Sequence, residues 1–383
     1  MNFSYSEDHI AIRNAARDFA ENEIASSAVE RDKTGEFPYE IVKKLGELGF
    51  LGMMVDPQWG GSGLDCVSYV LAMEEISKVD ASCSVIMSVN NSLVCWGIET
   101  YGNDEQKARI LTPLASGKVI GAYCLSEPGV GSDAAQQATK ARKDGNDWII
   151  DGAKNWITNG TSAHFYIVFA QTDEAKGYKG VTAFILEKGM PGFEQGLKED
   201  KLGIRSSDTC SLSFTGVRVP DANRLGEEGQ GFKIAMETLN GGRIGIAAQA
   251  LGIASGAYEK AIKYTYERQA FGKPINQLQA IQFKLADMAV KIEAARLLIL
   301  QAARKKDAHE NFIKEAAMAK LYASTIAMEV ANEAIQIHGG YGYVREYLVE
   351  RALRDAKITQ IYEGTSEIQH IVIARQILKE YQL

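Results

Sequence analysis

Apolar positions change their period twice along the 383-residue chain. From about Ser6 to Gly117 they return every three or four residues, in Ile10-to-Ile24, Ile41-to-Leu51, Val67-to-Ile76 and Ile98-to-Leu114. That is the spacing of one face of an α-helix. The stretch Pro57-Gln58-Trp59-Gly60-Gly61-Ser62-Gly63 interrupts the block and is expected to be a tight turn. It lacks the Lys-Ser/Thr ending of a phosphate-binding loop. The pattern then switches to short β-rich runs: Val119–Leu125, Trp148–Asp151, Phe165–Ala170, Val181–Glu187 and Ser211–Val219. Asp144-Gly145-Asn146-Asp147 and Asp151-Gly152 are turn or hairpin signals between them. No long helical pattern intervenes, which predicts a small antiparallel sheet or barrel and not a doubly wound parallel sheet.

The last block returns to helical spacing. Leu278, Ile281, Leu285, Met288, Ile292, Ala295 and Ile299 step by three and four along one face. Ala317, Leu321, Ser324, Met328, Ala331 and Ile335 form a second seam. Such seams bury long antiparallel helices in a four-helix bundle. The Gly- and Ala-rich run from Gly241 to Gly256 predicts another helix, whose small residues permit close approach. The expected organisation is an all-helical domain over 1–119, a middle β domain over 120–228 and a helix bundle over 229–383. The fold class is mainly α with a central small antiparallel β domain.

Composition narrows the function. Hydrophobic content of 46% with 24% charged residues describes a globular protein with ample core. A net charge of -7 argues against nucleic acid or an anionic membrane as the main partner. Cys66, Cys83, Cys95, Cys124 and Cys210 are odd in number and unclustered, which suits reduced thiols and no disulfide frame. The N-terminus is acidic at Glu7 and Asp8, and no apolar run approaches membrane-spanning length; the expected location is cytoplasmic, without membrane insertion. The chain contains no GxSxG elbow, HExxH or P-loop, and no GxGxxG opening a βαβ unit. Its five histidines lack ligand spacing, so no metal is expected, and His338 reads as structural. What remains is chemistry that a bound organic cofactor carries.

Five segments are candidates for that chemistry. In Ile361-Tyr362-Glu363-Gly364-Thr365-Ser366-Glu367, a helical run breaks at Glu363-Gly364 and restarts with Thr365 or Ser366 as cap. Glu363 there either projects into a cleft or is a solvated residue at a helix end. Tyr123-Cys124-Leu125-Ser126-Glu127-Pro128-Gly129-Val130-Gly131-Ser132-Asp133 leaves a strand through a Pro-Gly-x-Gly turn, exposing N–H groups and hydroxyls, or is a plain loop. Trp156 and Thr158 of Lys154-Asn155-Trp156-Ile157-Thr158-Asn159-Gly160 share one strand face, as a ligand wall or as sheet packing. Arg268-Gln269-Ala270-Phe271-Gly272-Lys273-Pro274, followed by Gln279, makes a diphosphate site or a solvated basic turn. Gln336-Ile337-His338-Gly339-Gly340-Tyr341-Gly342 ends a helix in glycines, so that backbone approaches a ligand closely.

Together these segments resemble the signatures of the acyl-CoA dehydrogenases, and the resemblance runs through nearly the whole chain. It implies N-terminal helices, a β barrel-like middle domain and a C-terminal four-helix bundle. It also implies FAD as cofactor, an acyl-CoA substrate, an electron-transferring flavoprotein as electron acceptor and a homotetramer built as a dimer of dimers. By resemblance Glu363 is the catalytic base. Tyr123, Leu125, Ser126, Gly131 and Ser132 hold the flavin, as do Trp156, Ile157, Thr158, Thr365 and Glu367. Arg268, Phe271, Gln279, Gln336, Gly339 and Gly340 contact the FAD of a neighbouring subunit. Ser132, Asn240, Arg243 and Gly364 lie on the acyl-CoA. Asn240 departs from the family's usual Asp. In long-chain and isovaleryl-type members the base stands near position 242, which here is Gly242 and cannot serve.

The implied reaction is α,β-dehydrogenation of a thioester to the trans-2-enoyl-CoA. A desolvated Glu363, with its pKa raised toward roughly 6–7, removes the α-proton while the β-hydrogen leaves as hydride to flavin N5. The Glu363 backbone N–H and a flavin ribityl hydroxyl steady the enolate oxygen, an effect of about 3–4 kcal/mol per donor in other enzymes. Ser88-Val89-Asn90-Asn91-Ser92-Leu93, Ile204-Arg205-Ser206-Ser207 and Tyr343-Val344-Arg345-Glu346 look most like the short-chain (butyryl-CoA) members. A short branched acyl-CoA is the close rival. An acyl-CoA oxidase would keep most of these motifs but release hydrogen peroxide. A non-enzymatic helical interaction protein would have no use for Glu363, Trp156 and the Ser126-to-Ser132 loop together.

Overall fold

The computed structural model describes residues 4–381. Its first block is helical: α1 (Glu7–Phe19), α2 (Ala25–Thr34), α3 (Tyr39–Glu47), α4 (Cys66–Val79), α5 (Ala81–Ser88), α6 (Trp96–Tyr101) and the short α7 (Asp104–Gln106) and α8 (Thr112–Ala115). Wider π-helical turns at Ala20–Ile24, Val89–Cys95 and Lys107–Leu111 join neighbouring helices. Periodicity misses α5 and the Val89–Cys95 turn because every residue in them is buried, leaving no polar face to set a period. The expectation that no run reaches spanning length is corrected here. Ala81–Tyr101 is 21 residues and holds an 18-residue window with a mean hydropathy of 1.3, long and apolar enough to cross a membrane, yet 94% of that window is buried inside the protein. Its composition reflects a core helix.

The middle block holds eight strands: β1 (Gly121–Cys124), β2 (Lys140–Asp144), β3 (Asp147–Thr158), β4 (Phe165–Gln171), β5 (Val181–Glu187), β6 (Phe193–Lys198), β7 (Thr209–Pro220) and β8 (Arg224–Leu225). They lie in the order β6-β7-β3-β2-β4-β5-β8, with β1 beside β4. The sheet departs from expectation in two ways. It is mixed, since β1 and β2 both pair parallel to β4, and it stays open without closing into a barrel. The Asp144-to-Asp147 hairpin forms, but Asp151-Gly152 is no turn: it lies inside β3 at a bulge, with Gly152 at φ 145°. β2 and β6 escape the periodic reading because each buries only one residue, so no apolar alternation marks them.

β4 shows why the sheet needs two cores. Phe165, Ile167 and Phe169 face the helices, whereas Tyr166, Val168 and Ala170 face a second cluster with Trp148, Phe193 and Phe214. Both faces are covered, so the strand is apolar from Phe165 to Ala170, with only Gln171 at its end polar.

The last block comprises α9 (Gly231–Glu267), α10 (Gln279–Asp307), α11 (Ile313–His338), α12 (Val349–Ile358) and α13 (Ser366–Glu380). Small residues let α9 press against α4. A Cβ on Gly252 would lie 2.4 Å from the Glu74 carbonyl, and one on Gly256 would lie 2.5 Å from that of Lys78. The structural reading of His338 holds: Nδ1 pairs with the Ala334 carbonyl at 2.7 Å and the ring stacks on Tyr264. All five cysteines are free and buried.

Candidate active site

The Glu363 turn hangs from α12, and α12 is anchored by buried charge. Arg351 donates to Asp80 at 2.8 Å, Arg354 to Asp32 at 2.6 Å, and Asp355 accepts the Ile204 N–H at 2.5 Å. Asp80 is itself the N-cap of α5, and Ile204 belongs to the middle block. Breaking one partner of such a buried pair costs about 3–5 kcal/mol, so the helix is held from three sides. After Ile358 the chain leaves the helix, and Thr365 caps α13 by accepting the Ile368 N–H at 3.5 Å. Between them Glu363 has φ 51° and Gly364 φ 93°. Among the described residues seven non-glycine positions have positive φ, and Trp156, Phe271 and Glu363 are three of them. Strained backbone of this kind persists only where its surroundings enforce it.

The Glu363 carboxylate is turned inward. The residue as a whole is half-buried, but Oε2 is sequestered and finds no hydrogen-bond partner among the described residues. It rests over the bare Cα of Gly242 on α9, where an added Cβ would lie 2.1 Å from Oε2. Burial pushes its pKa up to about 7, against the opposing pull of Lys320 and Arg243. Arg243 is itself buried, with Nε lacking a partner among the described residues and Nη1 donating to Asn240 at 2.7 Å. The Asn at 240 thus supplies a neutral acceptor to that guanidinium.

Gly242, Gly245 and Gln249 follow one face of α9 away from the carboxylate. A Cβ on Gly245 would stand 2.5 Å from the Tyr69 hydroxyl and 2.8 Å from Ser88 Oγ. Tyr69 donates to Ser88 at 3.1 Å. Tyr362 donates to Gln249 Oε1, while Gln249 Nε2 donates to the Ala81 carbonyl at 2.8 Å. These hydroxyls and amides close the strip after about two helical turns. The Tyr123 and Tyr362 phenols are pushed up, by burial first and by the nearby Glu363 charge second.

The sheet-edge segments meet each other: the Asn155 N–H donates to the Ser126 carbonyl at 2.9 Å. Beneath them Lys154 and Glu127 form a buried ion pair at 2.7 Å, with Glu127 also accepting the N–H groups of Ala138 and Thr139. Burial opposes ionisation of Glu127, yet Lys154 and these donors hold its pKa below the usual range. The pair shapes the loop that carries Ser126, Gly131 and Ser132. Leu125 and Ile157 are buried, Tyr123, Ser126 and Thr158 half-buried, and Ser132 exposed. Trp156 and Thr158 flank buried Ile157 as alternation expects, but a bulge between Lys154 and Ile157 tilts Trp156, which is 62% exposed.

The remaining candidates stand elsewhere. Arg268 lies over the Tyr341 ring at 5.5 Å, which joins the Arg268 turn to the Gly339 turn. Phe271 is 91% exposed, and Arg268, Gln279, Gln336, Gly339, Gly340 and Glu367 are exposed too. Among the described residues no hydrogen bond or ion pair links these turns to Glu363. At Gly131 and Gly340 an added Cβ would meet nothing within 4 Å, so no neighbour in the chain demands glycine. Open glycine turns, bare aromatics and unpaired hydroxyls are features an extended flavin nucleotide would cover. Sequence reasoning assigned no role to Tyr69, Gln249, Lys154 or Lys320. Lys320 alone carried a signal, as a charge on the Ala-rich buried side of α11.

Known proteins share this order of domains. Three domain descriptions match in chain order: acyl-CoA dehydrogenase N-terminal domain over residues 6–118, middle domain over 122–217 and C-terminal domain over 229–378. The mitochondrial short-chain specific acyl-CoA dehydrogenase of Bos taurus is 53% identical over 376 residues, covering 98% of this chain and 91% of the relative. The solved butyryl-CoA dehydrogenase of Megasphaera elsdenii superposes with a TM-score of 0.97 at 49% identity, covering 99% and 100% of the two chains. A chain in a structure reported for the electron transferring flavoprotein of Acidaminococcus fermentans, on flavin-based electron bifurcation, superposes at 0.98 with 50% identity and the same coverage. With near-full-length relatives at about half identity and all three domains in order, the chain belongs to the acyl-CoA dehydrogenase family.

Proposed function

We propose that this chain is an FAD-dependent dehydrogenase of short acyl-CoA thioesters, with Glu363 as general base. The observation that carries the reading is the sequestered, unpaired Oε2 of Glu363 over Gly242. A thioester α-proton is only weakly acidic, and a base works best with its pKa near the operating pH. Burial brings Glu363 to about 7. Arg243 and Lys320 keep part of the carboxylate ionised, while Tyr69, Tyr123 and Tyr362 exclude water from it.

FAD, when bound, supplies the acceptor for the hydrogen and electron pair leaving the β-carbon. Ser126, Ser132, Trp156, Thr158 and Thr365 would hold it from one chain. The exposed Arg268, Phe271, Gln279 and Gly339 turns would hold its far end in a neighbouring copy, within a homotetramer. The electrons pass to an electron-transferring flavoprotein, a reading supported by the Acidaminococcus neighbour. Short acyl chains are favoured by the Tyr69–Ser88 and Tyr362–Gln249 contacts that stop the strip along α9. The butyryl-CoA dehydrogenase relative supports the same class.

The experiment is a visible spectrum of the flavin-loaded protein mixed with butyryl-CoA under anaerobic conditions. The wild type bleaches within its turnover time. Glu363→Gln keeps its flavin and bleaches about 10³-fold more slowly, the scale of a lost general base. Near-normal bleaching by that variant removes Glu363 from the role.

A further inference from the structure

Lys320 of α11 is fully buried, and besides its charge near Glu363 it makes a backbone contact that has a role of its own. Its Nζ donates at 2.7 Å to the carbonyl of Gly364, the residue after the proposed base. Gln369 Nε2 donates to the same carbonyl at 2.8 Å and reaches the Glu363 carbonyl at 3.4 Å. The two donors thus grip a turn whose backbone is left-handed at Glu363, a conformation that side chains with a Cβ resist. A wholly buried ammonium whose hydrogen bonding among the described residues is one neutral carbonyl stabilises a bundle poorly. Its value lies in what it holds.

The charges facing Lys320 are Glu363 from the turn, Arg243 from α9 and Glu367 from α13. Those facing Glu363 are Lys320 and Arg243, with the phenols of Tyr69, Tyr123 and Tyr362 around it. We propose that Lys320 is a positioning residue for Glu363: its ammonium clamps the Gly364 carbonyl so that the carboxylate stays over Gly242, and its charge favours the ionised base. This rests on Glu363 being the base. Burial brings Lys320 down to about 7 and Glu363 up to about 7, so the two lose protons as a coupled pair near neutrality. Without the cation, burial of Glu363 is opposed by Arg243 alone, and its proton leaves at higher pH.

The test compares Lys320→Met, which removes donor and charge, with Lys320→Gln, which keeps a neutral donor, both as flavin-loaded enzyme. Flavin content and thermal unfolding report the fold, and Glu363→Gln runs alongside. Both variants should move the acid limb of kcat/KM for butyryl-CoA up by about one pH unit, lowering it about fivefold at pH 7. At pH 9, where Glu363 is ionised in every form, Lys320→Gln should regain wild-type kcat. Lys320→Met should stay about tenfold low because the turn is loose. An unmoved acid limb in Lys320→Gln, with Glu363→Gln inactive, overturns the role of Lys320 alone. An active Glu363→Gln overturns the base assignment and this inference with it. Should Lys320→Met fail to fold, the acid limb of Lys320→Gln decides the matter.

Discussion

The Glu363 cleft and the Arg268–Tyr341 surface face opposite problems. Around Glu363, groups from α4, β1, α9, α11 and the turn after α12 surround a carboxylate whose pKa burial raises to about 7. At the Arg268 surface the candidate groups are arranged but uncovered, with Phe271 91% exposed and the Gly340 position open. A single chain is sufficient to raise the pKa of a carboxyl group, because that needs desolvation, which its own core provides. On the proposed reading, this surface would hold the far end of the flavin nucleotide, and a neighbouring copy would cover it.

The sharpest way to break the comparison is Gly242→Ala. The new Cβ would meet the Glu363 carboxylate and Leu93 Cδ2, both side-chain ends that can yield, so the helix should form normally. Moving the proposed base by about 1 Å should cut kcat about 100-fold with flavin content unchanged. Normal kcat would show that the carboxylate need not rest there.

Glu363 should also leave a mark on stability. Its folded pKa of about 7 exceeds the ordinary 4.5. The proton's contribution is therefore intact below pH 4.5 and lost as pH rises through about 7. Glu363→Gln removes that loss, so between pH 5 and pH 8 the wild type should fall by about 2 kcal/mol relative to the variant in denaturant melts. Parallel curves would mean that the cleft is wetter than its geometry indicates.

Arg268→Ala probes the exposed surface. Losing one charged donor there should weaken FAD binding about tenfold in ultrafiltration assays while turnover per bound flavin holds. A drop in turnover per flavin would join the two regions functionally. The smallest effect belongs to Gln249→Ala, which opens the strip beyond Tyr362. The hexanoyl-to-butyryl ratio of kcat/KM should rise severalfold, the scale of one or two methylenes.

The helical seams on α10 and α11 were legible because half-buried helices alternate between core and water. The Ala81–Tyr101 run was not, since full burial erases the period. Lys140–Asp144 was missed for the opposite reason, as an exposed strand shaped mainly by backbone pairing. In the site, Glu363 and the sheet-edge loop were visible through their turn chemistry and their resemblance to a family. Tyr69 and Gln249 were not, because each is an ordinary core residue until another element is packed against it.

Order along the chain was enough to specify three blocks, a joint between two helices that contains Glu363-Gly364, and the cap at Thr365, though the first helix ends earlier, at Ile358. Tertiary structure alone decided that the sheet stays open with β1 parallel to β4, and that Gly242 lies under a carboxylate more than a hundred residues later. It also decided that a lysine on α11 reaches the turn. Those outcomes depend on desolvation and shape, which arise only where distant segments exclude water together.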